Sequence, residues 1–211
     1  MCIRDSNKSE VLYLGMNLKR FDAYKMPKNQ KIPLILWNHR WEYDKIPDEF
    51  FRALYLLKEK GVRFEVAILG ESYKNKPACF EEAKTKLANE IVHFGYVESF
   101  EEYAHWLWKA DILPVTSNQD FFGGSVVQGI YTNCYPILPK RLAYPEHLPK
   151  QLHKKHYFEN FEQLVEILTY AIKNIETIRQ QEFDFYVKKY DWTEIVAKYD
   201  TVFKQLSRHL H

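Results

Sequence analysis

Residues 33–61 read PLILWNHRWEYDKIPDEFFRALYLLKEKG, and this stretch decides the fold. Pro33 to Trp37 is nearly continuous apolar sequence, the pattern of a strand buried on both faces of a parallel sheet. Past a charged loop, Asp48 to Lys60 places Phe50, Phe51, Leu54 and Leu57 at helical spacing, and Gly61 behind Lys58 and Lys60 supplies the stop. A buried strand followed by an amphipathic helix is the unit from which α/β sheets are assembled.

The same alternation continues downstream. Strands are predicted at Arg63–Leu69, Ile91–Phe94, Ile112–Val115, Tyr135–Leu138 and near His156–Phe158, with helices at Ala78–Ala88, Phe100–Trp108, Ser125–Thr132 and Phe161–Arg179. About six strands joined by helices imply a Rossmann-like, doubly wound parallel sheet, because parallel neighbours need crossover connections. The tail from Phe183 to Leu210 reads as helical. In it Trp192, Ile195, Val196, Tyr199, Val202, Phe203 and Leu206 make an apolar stripe that one domain alone would leave partly uncovered.

Upstream, Val11–Leu14 is a short apolar run, and Lys25–Lys31 is a polar connector carrying Pro27 and Asn29. Met1–Ser6 (MCIRDS) fits no element and resembles an adaptor-like leader on an incomplete reading frame, so the natural protein is expected to extend further toward its N-terminus. The expected division is a non-native leader at 1–6, a hinge remnant and connector at 7–31, the sheet domain at 32–181 and C-terminal helices at 182–211.

Composition removes several classes of function. Thirty Lys and Arg against 28 Asp and Glu leave a formal net charge of +2 over 211 residues, too little for a basic footprint spread across the surface. Cys2, Cys79 and Cys134 offer neither a disulfide framework nor a C-x-x-C zinc spacing, which fits a reducing cytoplasm. No apolar run approaches the roughly 18 residues that span a bilayer, so no membrane partner is expected. The five tryptophans are spread over several predicted elements and read mainly as packing residues.

Ligands of doubly wound sheets bind beyond the carboxyl ends of the strands, which directs attention to the loops there. After the first strand comes Asn38-His39-Arg40-Trp41-Glu42-Tyr43-Asp44-Lys45. Arg40 can fork onto phosphate oxygens and Lys45 can add a point charge beside a helix start, making a candidate diphosphate clamp; equally, the two cations can pair with Glu42 and Asp44 in a solvated loop. After the fourth strand comes Thr116-Ser117-Asn118-Gln119-Asp120-Phe121-Phe122-Gly123-Gly124-Ser125. Its glycines allow main-chain N–H groups close to a ligand at a helix N-terminus, and Asp120 can accept from hydroxyls; a helix cap with a Gly-Gly turn is the plainer reading. Gly95-Tyr96-Val97 could set a backbone edge and an aromatic wall against a nucleobase. No metal-ligand pair of histidines, G-x-G-x-x-G loop, phosphate-binding G-x-x-x-x-G-K-[ST] loop or G-x-S-x-G elbow is present, which leaves phosphate and sugar recognition.

With those residues in view, the chain from Val11 to Leu206 resembles the C-terminal half of retaining GT-B glycosyltransferases of family 4. Arg40 and Lys45 reproduce the spacing of the cation pair that holds the donor diphosphate in that family. Asp120 and Gln128 stand where its E-x7-E motif places one Glu beside the transferred sugar and another on the ribose. Gly123, Gly124 and Ser125 match the turn whose amides meet sugar and phosphate, and Tyr96 and Val97 match the base-binding turn. Asn38, His39 and Phe122 are counted with the donor-binding set. More narrowly, LWNHRWEYDK, HFGYVES, EEYAHWLWKADI, FFGGSVVQGIY and CYPILPKRLAYPE resemble the tRNA-queuosine mannosyltransferase branch.

The resemblance implies transfer of mannose from GDP-mannose to queuosine in tRNA by a longer parent, with neither metal nor other cofactor. The tRNA would be held mainly by a separate N-terminal domain, and this fragment would bind donor without transferring it. Two departures, Asp120 for Glu and Gln128 for Glu, keep hydrogen-bonding capacity but shorten one side chain and remove one charge. They keep two alternatives in view: a non-catalytic nucleotide-sugar-binding module, and a family 4 transferase with a lipid or polysaccharide acceptor.

Overall fold

The computed structural model describes residues 11–71 and 77–208. The leader at 1–6, residues 7–10 of the expected hinge remnant and residues 209–211 of the tail lie outside them. Six strands form one sheet: β1 (Leu34–Asn38), β2 (Glu65–Leu69), β3 (Ile91–Gly95), β4 (Ile112–Pro114), β5 (Tyr135–Pro139) and β6 (Tyr157–Phe158). They lie in the order β3-β2-β1-β4-β5-β6, and every pairing is parallel. Among the described residues the α-helices of five or more residues are α1 (Pro47–Glu59), α2 (Cys79–Lys86), α3 (Phe100–Lys109), α4 (Gly124–Tyr131), α5 (Phe161–Lys173), α6 (Ile175–Arg179) and α7 (Trp192–Arg208). All six strands fall where the apolar runs predict them, to within a residue or two at the ends.

The first unit shows why. All of β1 is buried, and its register runs from Leu34 opposite Glu65 to Asn38 opposite Leu69. Trp37 packs on Phe50 of α1 at 4.8 Å between ring centroids and on Phe80 of α2 at 6.0 Å, so the apolar face of α1 closes over the strand. Each such side chain, fully buried, contributes about 1.5–3 kcal/mol relative to exposure. Four of the five tryptophans are buried or partly buried against this core, and Trp192 is half exposed.

The chain runs outward in one direction through β1, β2 and β3, then returns to the centre and runs the other way through β4, β5 and β6. The order therefore reverses between β1 and β4, and the loops leaving these two neighbours diverge around a crevice at their carboxyl ends.

One helical expectation is corrected. The helix predicted over Phe161–Arg179 is broken at Asn174, which leaves helical geometry (φ −112°, ψ 30°) and folds its side-chain amide back onto the Tyr170 carbonyl at 2.8 Å. The tail is helical in several pieces. A single turn at Asp184–Val187 and a 3-10 turn at Lys188–Tyr190 lead to a break at extended Asp191 before α7.

Asp191 has other work at this break. Its carboxylate accepts from the backbone N–H of Leu18 (2.8 Å), Lys19 (3.0 Å) and Thr193 (2.9 Å), while Met16 bridges to the same residue. The N-terminal segment is thereby tied to the start of α7, and its 3-10 turn at Lys19–Tyr24 sets Phe21 against Phe100 of α3. On α7, Ile195 is buried whereas Trp192, Val196, Phe203 and Leu206 are exposed, so the apolar stripe is covered only in part.

Candidate functional site

The loop leaving β1 is anchored at its middle. Trp41 stacks on Phe80 at 4.3 Å and 10°, its indole N–H reaches the Leu69 carbonyl at 3.3 Å, and its backbone N–H bonds Glu71. Beyond it the chain makes a 3-10 turn at Tyr43–Lys45 and passes through Ile46 in the left-handed region (φ 47°), with Pro47 opening α1. A β-branched residue is poorly suited to that conformation, which costs on the order of 1–3 kcal/mol. The β4 loop holds it there: the Thr116 hydroxyl lies 2.7 Å from the Lys45 carbonyl and 3.0 Å from that of Ile46, and Asn118 N–H donates to Asp44 O at 2.8 Å.

This lacing brings separated residues of the sequence together. The Lys45 side chain is only 7 % exposed, and its ammonium meets Asp120 Oδ1 at 3.2 Å, Asp44 Oδ2 at 3.0 Å and the Gln119 carbonyl at 2.9 Å. Tyr144, from the segment after β5, donates to the other Asp120 oxygen at 2.6 Å. Burial, reinforced by that bond, pushes the Tyr144 hydroxyl far above its ordinary pKa, so it remains a donor. Asp120 is thus held at both oxygens.

A second junction lies at the start of α4. Asn38 Nδ2 donates to the Ser125 carbonyl at 2.8 Å, and His39 Nδ1 lies 3.1 Å from Ser125 Oγ. Gly123 caps the helix at φ 77°, in the left-handed region, and a Cβ there would come within 3.2 Å of the Tyr144 ring. The first-turn amides of Gly124 and Ser125 have no helical acceptor, so the positive end of α4 faces this junction.

The remaining candidates are placed as follows. Arg40 is 57 % exposed and pairs with Glu42 at 3.1 Å. The expected ion pairs are thus present at both cations, Arg40 with Glu42 and Lys45 with Asp44, while Lys45 is also buried against Asp120. Gln128 accepts from the Tyr103 hydroxyl at 2.7 Å, which leaves its amide N–H groups free to donate. Val97 is buried and Tyr96, just beyond β3, is exposed. Phe122 turns away from the junction: its ring packs edge-on to Tyr190 at 5.0 Å and His147 at 5.8 Å, and its carbonyl bonds His147 Nε2 at 2.9 Å. It anchors the loop, whereas its neighbour Phe121 is 95 % exposed.

Sequence reasoning missed Thr116 as the lace, Tyr103 as the Gln128 partner and Tyr144 as the Asp120 donor. Only Tyr144 had a signal, standing in the CYPILPKRLAYPE segment that carries the resemblance. Among the described residues no group of three or more His, Cys, Asp or Glu could hold a metal ion. Nor is any helix there long and apolar enough to cross a membrane. Away from the crevice, a groove of about 630 Å³ runs along β6 and α5, lined by residues including Lys140, Lys154, Lys155, Tyr157 and Tyr170.

No protein-family model matches the chain. It is 33 % identical, over 94 % of its length, to the tRNA-queuosine alpha-mannosyltransferase of Drosophila melanogaster, and spans just over half (54 %) of that relative. A glycosyltransferase structure from Rickettsia africae superposes with a TM-score of 0.75 at 19 % identity, covering 95 % of this chain and 58 % of that one. Anabaena Alr3699/HepE, solved in complex with UDP-glucose, superposes with a TM-score of 0.71 at 14 % identity, covering 96 % of this chain and 58 % of that one. In sequence and in fold the chain is related to the glycosyltransferases, and it has the architecture of one Rossmann-like half of a GT-B fold.

Proposed function

We propose that this chain is the donor-binding half of a metal-independent, retaining glycosyltransferase that moves mannose from GDP-mannose to queuosine in tRNA in the cytoplasm. The observation that carries the reading is the junction at the sheet's switch point, where Lys45 is buried against Asp120 and Asn38 and His39 meet Ser125 at a helix start. The likeness to the Drosophila tRNA-queuosine alpha-mannosyltransferase supports mannose as the sugar and queuosine as the acceptor.

In this reading the diphosphate lies over the β1 and β4 loops. Lys45 sets one positive charge there, and the first-turn amides of α4 add their partial charge. Arg40 can leave Glu42 at little cost, because an exposed ion pair is worth about 0–1 kcal/mol. Charge that develops on the leaving diphosphate is thus met by groups already in place, which is where electrostatic catalysis is most effective. Asp120, steered by Lys45 and Tyr144, accepts from a sugar hydroxyl. The amide N–H groups of Gln128 reach ribose oxygens, and Tyr96 with Val97 borders the base. The acceptor is held by a second domain.

Calorimetric titration of the chain with GDP, UDP, ADP and GDP-mannose tests this. GDP-selective binding, strengthened by the mannosyl group, is expected; preference for another nucleotide would refute the mannosyl donor, and binding of none would refute the donor site. The competing reading is a binding module without catalysis, favoured by a carboxylate at Asp120 with both oxygens already engaged. Asp120→Glu with Gln128→Glu separates the two: a sharp gain in affinity marks a degenerate site, and little change marks tolerated variants.

A further inference from the structure

Buried polar side-chain atoms are nearly always hydrogen-bonded, so exceptions call for an explanation. Among the described residues few such atoms lack a partner, and two of them belong to the carboxyl end of β1: Asn38 Oδ1 and His39 Nε2. His39 is the more informative. It is 4 % exposed, its ring packs edge-on to Trp37 at 5.2 Å, and its Nδ1 is fixed at 3.1 Å from Ser125 Oγ. A serine hydroxyl donating to Nδ1 selects the tautomer that carries its proton on Nε2, which makes the unpartnered atom a donor.

The helix start at this position favours an anionic acceptor, because the first-turn amides of α4 carry partial positive charge. Lys45 is close enough to His39 to interact with it electrostatically, and Ser125 lies on the first turn of α4. Asp120 and Asp44 face the ring as well; the single charge of Lys45 offsets one of these two carboxylates, so the attraction for an anion comes from the partial positive charge at the start of α4. Burial pushes the imidazole down to about 4, with Asp120 opposing and Lys45 adding to the shift, so the ring is neutral and carries a single N–H at neutral pH.

We infer that His39 is a neutral hydrogen-bond donor to the diphosphate of the bound nucleotide, its Nε2–H directed to a phosphate oxygen while Ser125 holds Nδ1. This rests on the donor-site reading and adds to it a residue selective for a phosphate oxygen. The unpartnered His39 Nε2 then has an explanation, since it belongs to the crevice in which that ligand is bound.

The test compares His39→Gln, whose amide nitrogen can replace Nε2, with His39→Asn, whose shorter amide can bond Ser125 but leaves the Nε2 position empty. GDP, UDP and GDP-mannose are titrated into each variant and the unaltered chain, with thermal midpoints recorded alongside. The expected result is GDP affinity within about threefold of the parent for His39→Gln and at least tenfold weaker for His39→Asn, at similar thermal midpoints. Equal loss in both variants with a lowered midpoint would overturn the inference in favour of a packing role. Loss confined to GDP-mannose would overturn it in favour of a contact to the sugar. Unchanged binding in His39→Asn would refute it while the donor site stood, and an unaltered chain that binds neither GDP nor UDP would remove the donor site itself.

Discussion

At the scale of single residues, the candidate site is organised by Lys45. Its ammonium has three oxygen neighbours, and replacing it with methionine keeps the stem while removing the charge. Lys45→Met is expected to weaken nucleoside diphosphate binding at least tenfold and to lower stability by about 1–3 kcal/mol, because Asp120 and the Gln119 carbonyl lose a donor. Calorimetry and urea unfolding on the same preparation measure the two effects. Arg40→Ala should leave stability unchanged, since its partner Glu42 shares an exposed loop. The residue types at 40, 45, 120 and 123–125 drew attention in the sequence because charge and glycine gather at two strand ends, although an ion-paired loop and a Gly-Gly helix cap accounted for them as well. Ile46 did not, since a β-branched residue gives no sign of a left-handed backbone; the lace from Thr116 that holds it is tertiary.

Between elements, two buried carboxylates do most of the joining. Asp111, just before β4, accepts from the Leu34 backbone N–H at 2.9 Å and from Arg179 of α6 through Nε at 2.8 Å and Nη2 at 3.0 Å. Asp111→Ala leaves a mostly buried guanidinium with only the exposed Glu176 at 3.6 Å as partner and is expected to cost about 3 kcal/mol, measured by urea unfolding. Asp191 joins the N-terminal segment to α7. Burial raises its pKa, but the N–H and hydroxyl groups of Thr193 and the amides of Lys19 and Leu18 outweigh that and hold it below the ordinary carboxylate value. A carboxylate depressed in the folded state stabilises fully above its unfolded pKa, and that contribution is lost as pH falls through the folded value. Proteolysis of the segment near Met16 should therefore accelerate on acidification below about pH 4, and Asp191→Asn should show the faster cleavage already at neutral pH. The strands were readable because their apolar runs are short and bounded. The breaks at Asn174 and Asp191 were not, since each depends on where one polar side chain finds its partners.

At the scale of the whole molecule, three histidines are buried among the described residues, His39, His147 and His156, each pushed down to about 4 with burial as the largest cause. Unfolding lets them bind protons at their ordinary pKa near 6.5, so stability is constant above that value and falls as pH drops from about 6.5 toward 4. Each contributes about 1.4 kcal/mol per pH unit inside that window, and replacing His156, which is remote from the crevice, should make the decline shallower in urea unfolding followed across pH. At this scale the doubly wound sheet was the most legible feature, because strand and helix periodicities alternate without interruption. The identity of donor and acceptor was the least legible, because the residues that would choose a base or an acceptor are few and their types are not diagnostic.

The central claim is that the nucleotide binds at the reversal between β1 and β4. Amide NMR of the chain titrated with GDP tests it most directly. The account predicts saturable shifts concentrated at residues 38–46 and 116–125; shifts confined to the groove around Lys154 and Tyr170, or no saturable shift at all, would contradict it.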